Sequence, residues 1–243
     1  MKSTLLLSLV PFIQGVLGAA DVTGGSPATI DKVPYLVSVL QWNKYACAGV
    51  LIGSNFVVTA AQCVDGVESV ESFNVRTGSN STSWGGSVLE ITKILRHGQF
   101  NPTTYDFDLA LLKFTPPVTF SPTVIPAPLV PSGQEPANGT ECVASGWGGS
   151  GGELQSVTLP IVDHDVCNQT YGGQITDHMI CAGGKAGKGT CPGDRGGPLV
   201  CGGKLAGIIS QTNGCDLLGL PDVFTDLADA GIQNWILATV MNN

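Results

Sequence analysis

Short apolar runs, each closed by turn residues, make up most of the chain. YLVSVL (35–40), GVLIGSNFVVTAA (49–61), SVLEITKIL (87–95) and DLALLKF (108–114) occupy the first half. CVASGWG (142–148), LQSVTLPIV (154–162), GGPLVC (196–201) and KLAGIIS (204–210) occupy the second. Their shortness, their β-branched content and their punctuation by Gly, Pro and Asn predict strands rather than helices. Residues 115–140 separate the halves, hold seven of the fifteen prolines and read as an extended crossing segment. Helical spacing is confined to DLADAGIQNWILATV (226–240), where Leu227, Ile232, Trp235, Ile236 and Val240 share a face. The pattern predicts two antiparallel β units and a C-terminal helix, with no tandem repeat.

The first twenty residues follow a different pattern. Lys2 precedes an apolar stretch from Leu5 to Val10, and Gly18-Ala19-Ala20 forms a small-residue cleavage site, the layout of a secretory leader. A membrane anchor is the competing reading, but Pro11 and Gln14 interrupt the run, which is shorter than the roughly 20 residues a span needs. The expected mature protein starts at Asp21, is secreted and has no membrane partner.

An oxidising destination changes the meaning of the eight cysteines, Cys47, Cys63, Cys142, Cys167, Cys181, Cys191, Cys201 and Cys215. No C-x-x-C pair favours zinc, and an even number behind an export signal implies disulfides, although spacing alone does not choose their connectivity. Asn80, Asn138 and Asn168 head N-x-S/T sequons and are candidate glycan acceptors.

With 243 residues the chain is long enough to bury a substantial core. Its formal charge is -8, and loss of Lys2 with the leader leaves 10 basic against 19 acidic residues. No Lys/Arg cluster is present, so nucleic acid and anionic membrane are excluded as expected partners. Nothing in the composition calls for a cofactor or a metal.

Several blocks, in order, carry a family resemblance: VTGG (22–25), CAGVLI (47–52), VVTAAQC (57–63), DLALL (108–112), CVASGWG (142–148), HMICAG (178–183), GDRGGPLVC (193–201), ISQTNGC (209–215) and the terminal NWILATV. Together they resemble the chymotrypsin/trypsin family of serine proteases across nearly all of the mature chain. The resemblance implies an all-β fold of two six-stranded antiparallel Greek-key barrels. The first covers about 22–120, the second about 121–228, and a helix over about 229–241 closes the chain. It also implies the pairs Cys47–Cys63, Cys142–Cys201, Cys167–Cys181 and Cys191–Cys215.

That family attacks a carbonyl with a serine, takes its proton with a histidine and orients the imidazole with an aspartate. Here TAAHC reads TAAQC and GDSGGP reads GDRGGP, so Gln62 and Arg195 stand at the base and nucleophile positions. An amide has no useful proton affinity near neutral pH. A guanidinium stays protonated, donates hydrogen bonds only and attacks nothing. Asp108 remains and is expected to be a carboxylate hydrogen-bonded by Gln62. His97, His164 and His178 are expected to fill surface or packing roles, with His164 opening a turn.

The machinery around the triad positions is partly kept. Gly193 retains a backbone N–H where the family builds its oxyanion hole, and Asp194 awaits a buried partner. No Arg or Lys precedes VTGG to direct an activating cut, so insertion of this N-terminus is not expected. Arg195 is then left to pair with Asp194 or Asp108, or to lie solvated across the cleft mouth. Gly189 stands where trypsins place the acid that reads Lys or Arg. Asp222 sits in PDVF, either on the pocket wall or capping a turn. Ser210-Gln211-Thr212 replaces the SWG edge, which weakens strand addition by a substrate.

The expected function is that of a secreted, catalytically inactive homologue that binds an extracellular protein as inhibitor or decoy. CAGGKAGKGTCPGDRGGPLV, with LQSV, is similar to the glucanase inhibitor proteins of oomycetes, which implies a secreted glucan hydrolase as partner. The alternative is a secreted trypsin-like endopeptidase with a non-standard active site.

Overall fold

The punctuated runs become strands, some such as Phe56–Thr59 buried throughout and others such as Ser87–Arg96 largely exposed, and the fold follows from where their buried faces meet. The computed structural model describes residues 22–67, 69–149, 151–212, 214, 215 and 219–243. The leader and Asp21 lie outside them. The chain enters through a two-residue strand, β1 (Ser26–Pro27). It then builds β2 (Leu36–Gln41), β3 (Lys44–Leu51), β4 (Phe56–Thr59), β5 (Phe73–Thr77), β6 (Ser87–Arg96) and β7 (Ala110–Phe114). These six close into an antiparallel barrel in the order β2-β3-β4-β7-β6-β5. The apolar run 49–61 is split between β3 and β4 by a tight turn at 52–55.

The second half supplies β8 (Glu141–Gly146), β9 (Gln155–Val162), β10 (Met179–Gly183), β11 (Pro198–Cys201), β12 (Lys204–Gln211) and β13 (Pro221–Asp226). The order β9-β10-β13-β12-β11-β8, with β8 also pairing β9, closes a second barrel, and β1 adds to the edge of β9. The fold is therefore two six-stranded antiparallel barrels followed by a helix.

Strand β4 shows how sequence alternation builds the core. Val57 points into the first barrel with Val37, Leu51, Phe73 and Leu112. Its neighbour Val58 points out, into a seam shared with Leu111, Leu205, Ile208, Leu227, Ile232 and Ile236. Because both faces are covered, the run carries no polar alternation. Each such side chain, fully buried, contributes roughly 1.5–3 kcal/mol.

The terminal helix, α2 (Ala230–Asn242), lies on that seam, with Ile232 and Ile236 buried and Trp235 and Val240 packed alongside. Asp229 caps it by accepting from the Ile232 N–H at 2.8 Å, which satisfies one of the free donors of the first turn. One helix was not expected. His164 opens not a turn but α1 (His164–Thr170), capped by Asp163, which accepts from the N–H groups of Asp165 and Val166. Seven residues give too few turns for an amphipathic period to be legible, and the cap and the Cys167–Cys181 bridge hold the segment instead.

Residues 115–140 cross between barrels as a strap. Ile125 N–H donates to the Pro34 carbonyl and Ala127 N–H to Leu51, while Val130 and Leu205 are hydrogen-bonded across to the second barrel. The disulfides are Cys47–Cys63, Cys142–Cys201, Cys167–Cys181 and Cys191–Cys215.

Candidate functional site

The groove between the barrels brings three expected residues into one hydrogen-bonded corner. Gln62 lies on a single 3-10 turn, Ala61–Val64, after β4; Asp108 precedes β7; Ser210 comes across the seam from β12. Asp108 is fully buried. It accepts from Gln62 N–H at 2.9 Å, Gln62 Nε2 at 2.5 Å and Ser210 Oγ at 2.6 Å. The Gln62 amide also donates to the Ser210 carbonyl at 2.9 Å, so it joins one barrel to the other. Burial pushes the Asp108 carboxyl above its usual range, against the lowering effect of the Ser210 and Gln62 hydrogen bonds. In this corner Gln62 only donates to Asp108.

Opposite it, the 3-10 turn Pro192–Asp194 delivers Arg195. The Arg195 carbonyl accepts from Ala48 N–H at 2.8 Å, which pins this backbone to β3. Its side chain pairs with neither Asp194 nor Asp108, contrary to one expectation: the ion pairs among the described residues are Lys32–Asp31, Arg96–Asp65 and His178–Asp106. The reason is that both carboxylates are served by other donors. Asp194, buried, takes the N–H groups of Gly148 and Cys191, each at 2.8 Å. Arg195 is partly exposed, yet its Nε is buried and has no hydrogen-bond partner.

Gly193 sits beside Arg195 under a tight contact. A Cβ there would lie 2.1 Å from the Gly148 carbonyl oxygen, so no side chain fits. Its carbonyl accepts from the Tyr45 hydroxyl at 2.8 Å, a clamp from the first barrel. Tyr45 was not singled out by sequence, because a tyrosine at the start of a strand carries no signal beyond packing.

Val22 is buried in the core of the second barrel, and Thr23 forms a two-way backbone bridge with Gly189 at 3.0 and 3.2 Å. The bridge and an apolar cavity for Val22 dock the segment, and neither depends on a basic residue upstream. Gly24 permits the entry with φ of 65°, where a Cβ would strike the Gly187 carbonyl oxygen.

Asp222 is buried, and its Oδ2 accepts from Thr190 N–H at 2.6 Å and Thr190 Oγ1 at 2.9 Å. Thr190, also missed, is a residue that engages this carboxylate. Gln211 borders a groove of about 400 Å³ with Tyr105, Tyr171, Ile175 and Thr176. The Thr212 hydroxyl is buried without a partner among the described residues.

The histidines stand elsewhere. His97 stacks on Phe107 at 4.6 Å, and burial lowers its pKa below the ordinary value. His178 Nδ1 bonds Asp106 at 3.0 Å, and His164 Nε2 lies 3.1 Å from the Thr176 carbonyl. Of the sequon asparagines, Asn80 and Asn138 are exposed, and Asn168 is half-buried within α1. No group of three or more His, Cys, Asp or Glu among the described residues is placed to hold a metal. Among these residues, no helix is long and apolar enough to cross a membrane.

Comparison with known proteins follows the geometry. The family described as Trypsin matches residues 22–236. Trypsin delta of Drosophila melanogaster is 35% identical, covering 98% of this chain and 99% of its own. A trypsin of Xenopus laevis is 37% identical over 98% of this chain and 100% of its own. A trypsin of Phaedon cochleariae is 36% identical over 89% and 87%.

Proposed function

The chain belongs to the trypsin family, and we propose that it is a member without peptidase activity, secreted, which acts by binding another extracellular protein. The observation that carries the reading is the pair Gln62 and Arg195. The first donates to Asp108, as an imidazole there would, but its amide has no nitrogen able to take a proton from a nucleophile, and the second presents a guanidinium, a donor only, where an oxygen would attack. Removing either serine or histidine from such a triad costs on the order of 10⁶-fold in turnover, and the two losses overlap because the groups act as a unit.

The scaffold is kept while the chemistry is gone. Two closed barrels, four disulfides and a docked Val22 form a rigid surface, which suits an inhibitor or decoy. The likeness of residues 181–200 to glucanase inhibitor proteins makes a secreted glucan hydrolase the partner to test. Purified protein offered a broad peptide library and a serine-directed phosphonate probe is expected to show neither cleavage nor label. Cleavage or labelling removes the reading. Slowed hydrolysis by one of a panel of secreted glucanases supports the hydrolase as partner, and no effect on any of them removes that partner.

A second reading, a trypsin-like endopeptidase using a displaced group or a water, draws on the relatives named trypsin and on the docked Val22. It lacks a base. The same library assay separates the two.

A further inference from the structure

Trp84, on the loop between β5 and β6, is 72% exposed, yet the backbone that carries it is held in place. Arg76 donates to the carbonyls of Thr82, Ser83 and Gly85, and Ser79 Oγ donates to the Trp84 carbonyl at 2.6 Å. A fixed loop that presents a large apolar ring to water forgoes the burial that usually places a tryptophan.

Four residues earlier stands Asn80, which opens the sequon Asn80-Ser81-Thr82. Its Oδ1 accepts from Ile30 N–H at 2.6 Å, and its carbonyl accepts from the Trp147 indole N–H at 2.7 Å. A backbone N–H must face an acceptor, so the oxygen is the atom toward Ile30 and Nδ2 is turned away from it. Nδ2 makes no hydrogen bond among the described residues, and Asn80 is exposed. Asn80 and Trp84 line one cavity of about 330 Å³ together with Pro27, Ala28, Glu153 and Leu154. The loop belongs to the first barrel, whereas Pro27 lies in β1 and Leu154 leads into β9, so the cavity spans the junction of the barrels.

An aromatic ring, apolar walls and a carboxylate suit a pyranose, whose C–H face is apolar and whose rim carries hydroxyls. The sequon supplies a tethered one. A sugar joined to Nδ2 needs little affinity of its own, because the tether holds it at the cavity.

We infer that Asn80 carries an N-linked glycan whose first N-acetylglucosamine lies in this cavity against the Trp84 indole. Asn80 Nδ2 attacks C1 of a lipid-pyrophosphate-linked oligosaccharide. The N–C1 bond forms, the C1–O bond breaks, the pyrophosphate leaves with the lipid, and Nδ2 gives up a proton. Attachment at Nδ2 leaves Oδ1 to Ile30. The inference rests on the secreted reading above. The sugar covers the exposed indole and braces the barrel junction.

The test expresses the full chain with its leader in insect cells and maps the secreted protein by mass spectrometry. Asn80 is expected to be occupied. An endoglycosidase trims the glycan to one N-acetylglucosamine, and peptide N-glycosidase removes it, leaving an aspartate whose oxygens still serve Ile30. In protein labelled with ¹⁵N-tryptophan, each of the four tryptophans gives one indole N–H signal, and Trp84→Phe identifies its own by removing it. With one sugar attached, the Trp84 ring is expected to show nuclear Overhauser contacts to the sugar, and its signal shifts on removal while that of Trp42 stays. Removal should lower the melting temperature of the parent by roughly 2–4 °C and that of Trp84→Ala by less than half as much. A bare Asn80 in exported protein overturns the inference alone, as does an occupied Asn80 whose sugar never meets Trp84 and whose removal affects parent and Trp84→Ala equally. A chain that is not exported defeats the secreted reading, and this inference with it.

Discussion

The two sides of the groove carry substitutions of opposite character, Gln62 at the family's base position and Arg195 at its nucleophile position. On the first-barrel side, Gln62 replaces an imidazole with an amide that still reaches Asp108 and, through its Nε2, the Ser210 carbonyl. The Gln62 amide and the Ser210 hydroxyl both donate to Asp108, so the buried carboxylate stays satisfied. On the second-barrel side, Arg195 brings a charge and several donors, and one of them is buried without an acceptor. One side is a conservative repair of a hydrogen-bond network. The other is a new charge that the network does not absorb. Keeping a hydrogen-bond network and introducing a charge that the network does not absorb are thus separable events, visible at two positions of one groove.

The largest effect expected from breaking this contrast is chemical. Gln62→His with Arg195→Ser restores a base beside Asp108 and a hydroxyl beside Gly193, and should raise peptide turnover by at least about 10³-fold, with either single change giving little. Steady-state cleavage of a chromogenic peptide checks this. A double variant as inert as the parent would place the defect in the substrate edge at Gln211 and Thr212.

A third way of treating buried charge sits behind the groove. Asp226 is buried with one backbone donor, from Ala228, and faces the negative Glu135 and Asp229; burial first, then these charges, raise its pKa to about 7. A carboxyl raised in the folded state holds its proton there while the unfolded chain has already released it. Its contribution is complete below the ordinary Asp value and fades as pH climbs toward 7. Stability should therefore fall by on the order of 3 kcal/mol between pH 4 and 8 from this group. Asp226→Asn should flatten that slope in urea melts taken across the range.

Gln62→Leu should cost about 2 kcal/mol, because it removes a donor from the buried Asp108 carboxylate. Thermal unfolding would register this as a drop of roughly 4–8 °C. Arg195→Met carries the smallest effect and the opposite sign. It keeps the apolar stem and deletes the orphan N–H, so melting should hold steady or rise by a few °C, about 1 kcal/mol. A fall in melting temperature would mean that Arg195 has an internal partner after all.

Much of this was readable in the chain before any coordinates. FVVTAA and GIIS reveal strands because both faces are buried, and turn residues mark where each ends. Gln62, Asp108 and Arg195 were legible as one site only because the resemblance aligned three distant segments; no local pattern joins positions 62, 108 and 195. What stayed hidden depends on atoms meeting in space. Tyr45 clamps the Gly193 carbonyl across 148 positions of sequence. Val22 finds its place beside a backbone bridge from Thr23 to Gly189 that no side chain announces. The unsatisfied Nε of Arg195 appears only when every neighbouring acceptor has been assigned.

The bridges also dictate how the molecule comes apart. Cys47–Cys63 lies wholly before the proline-rich strap and the other three disulfides wholly after it, so no covalent bond other than the backbone ties the barrels together. A protease that nicks the strap once should leave two pieces that run separately on a denaturing gel without any reductant. The same pieces, mixed in native buffer, should find each other again through the seam that α2 covers.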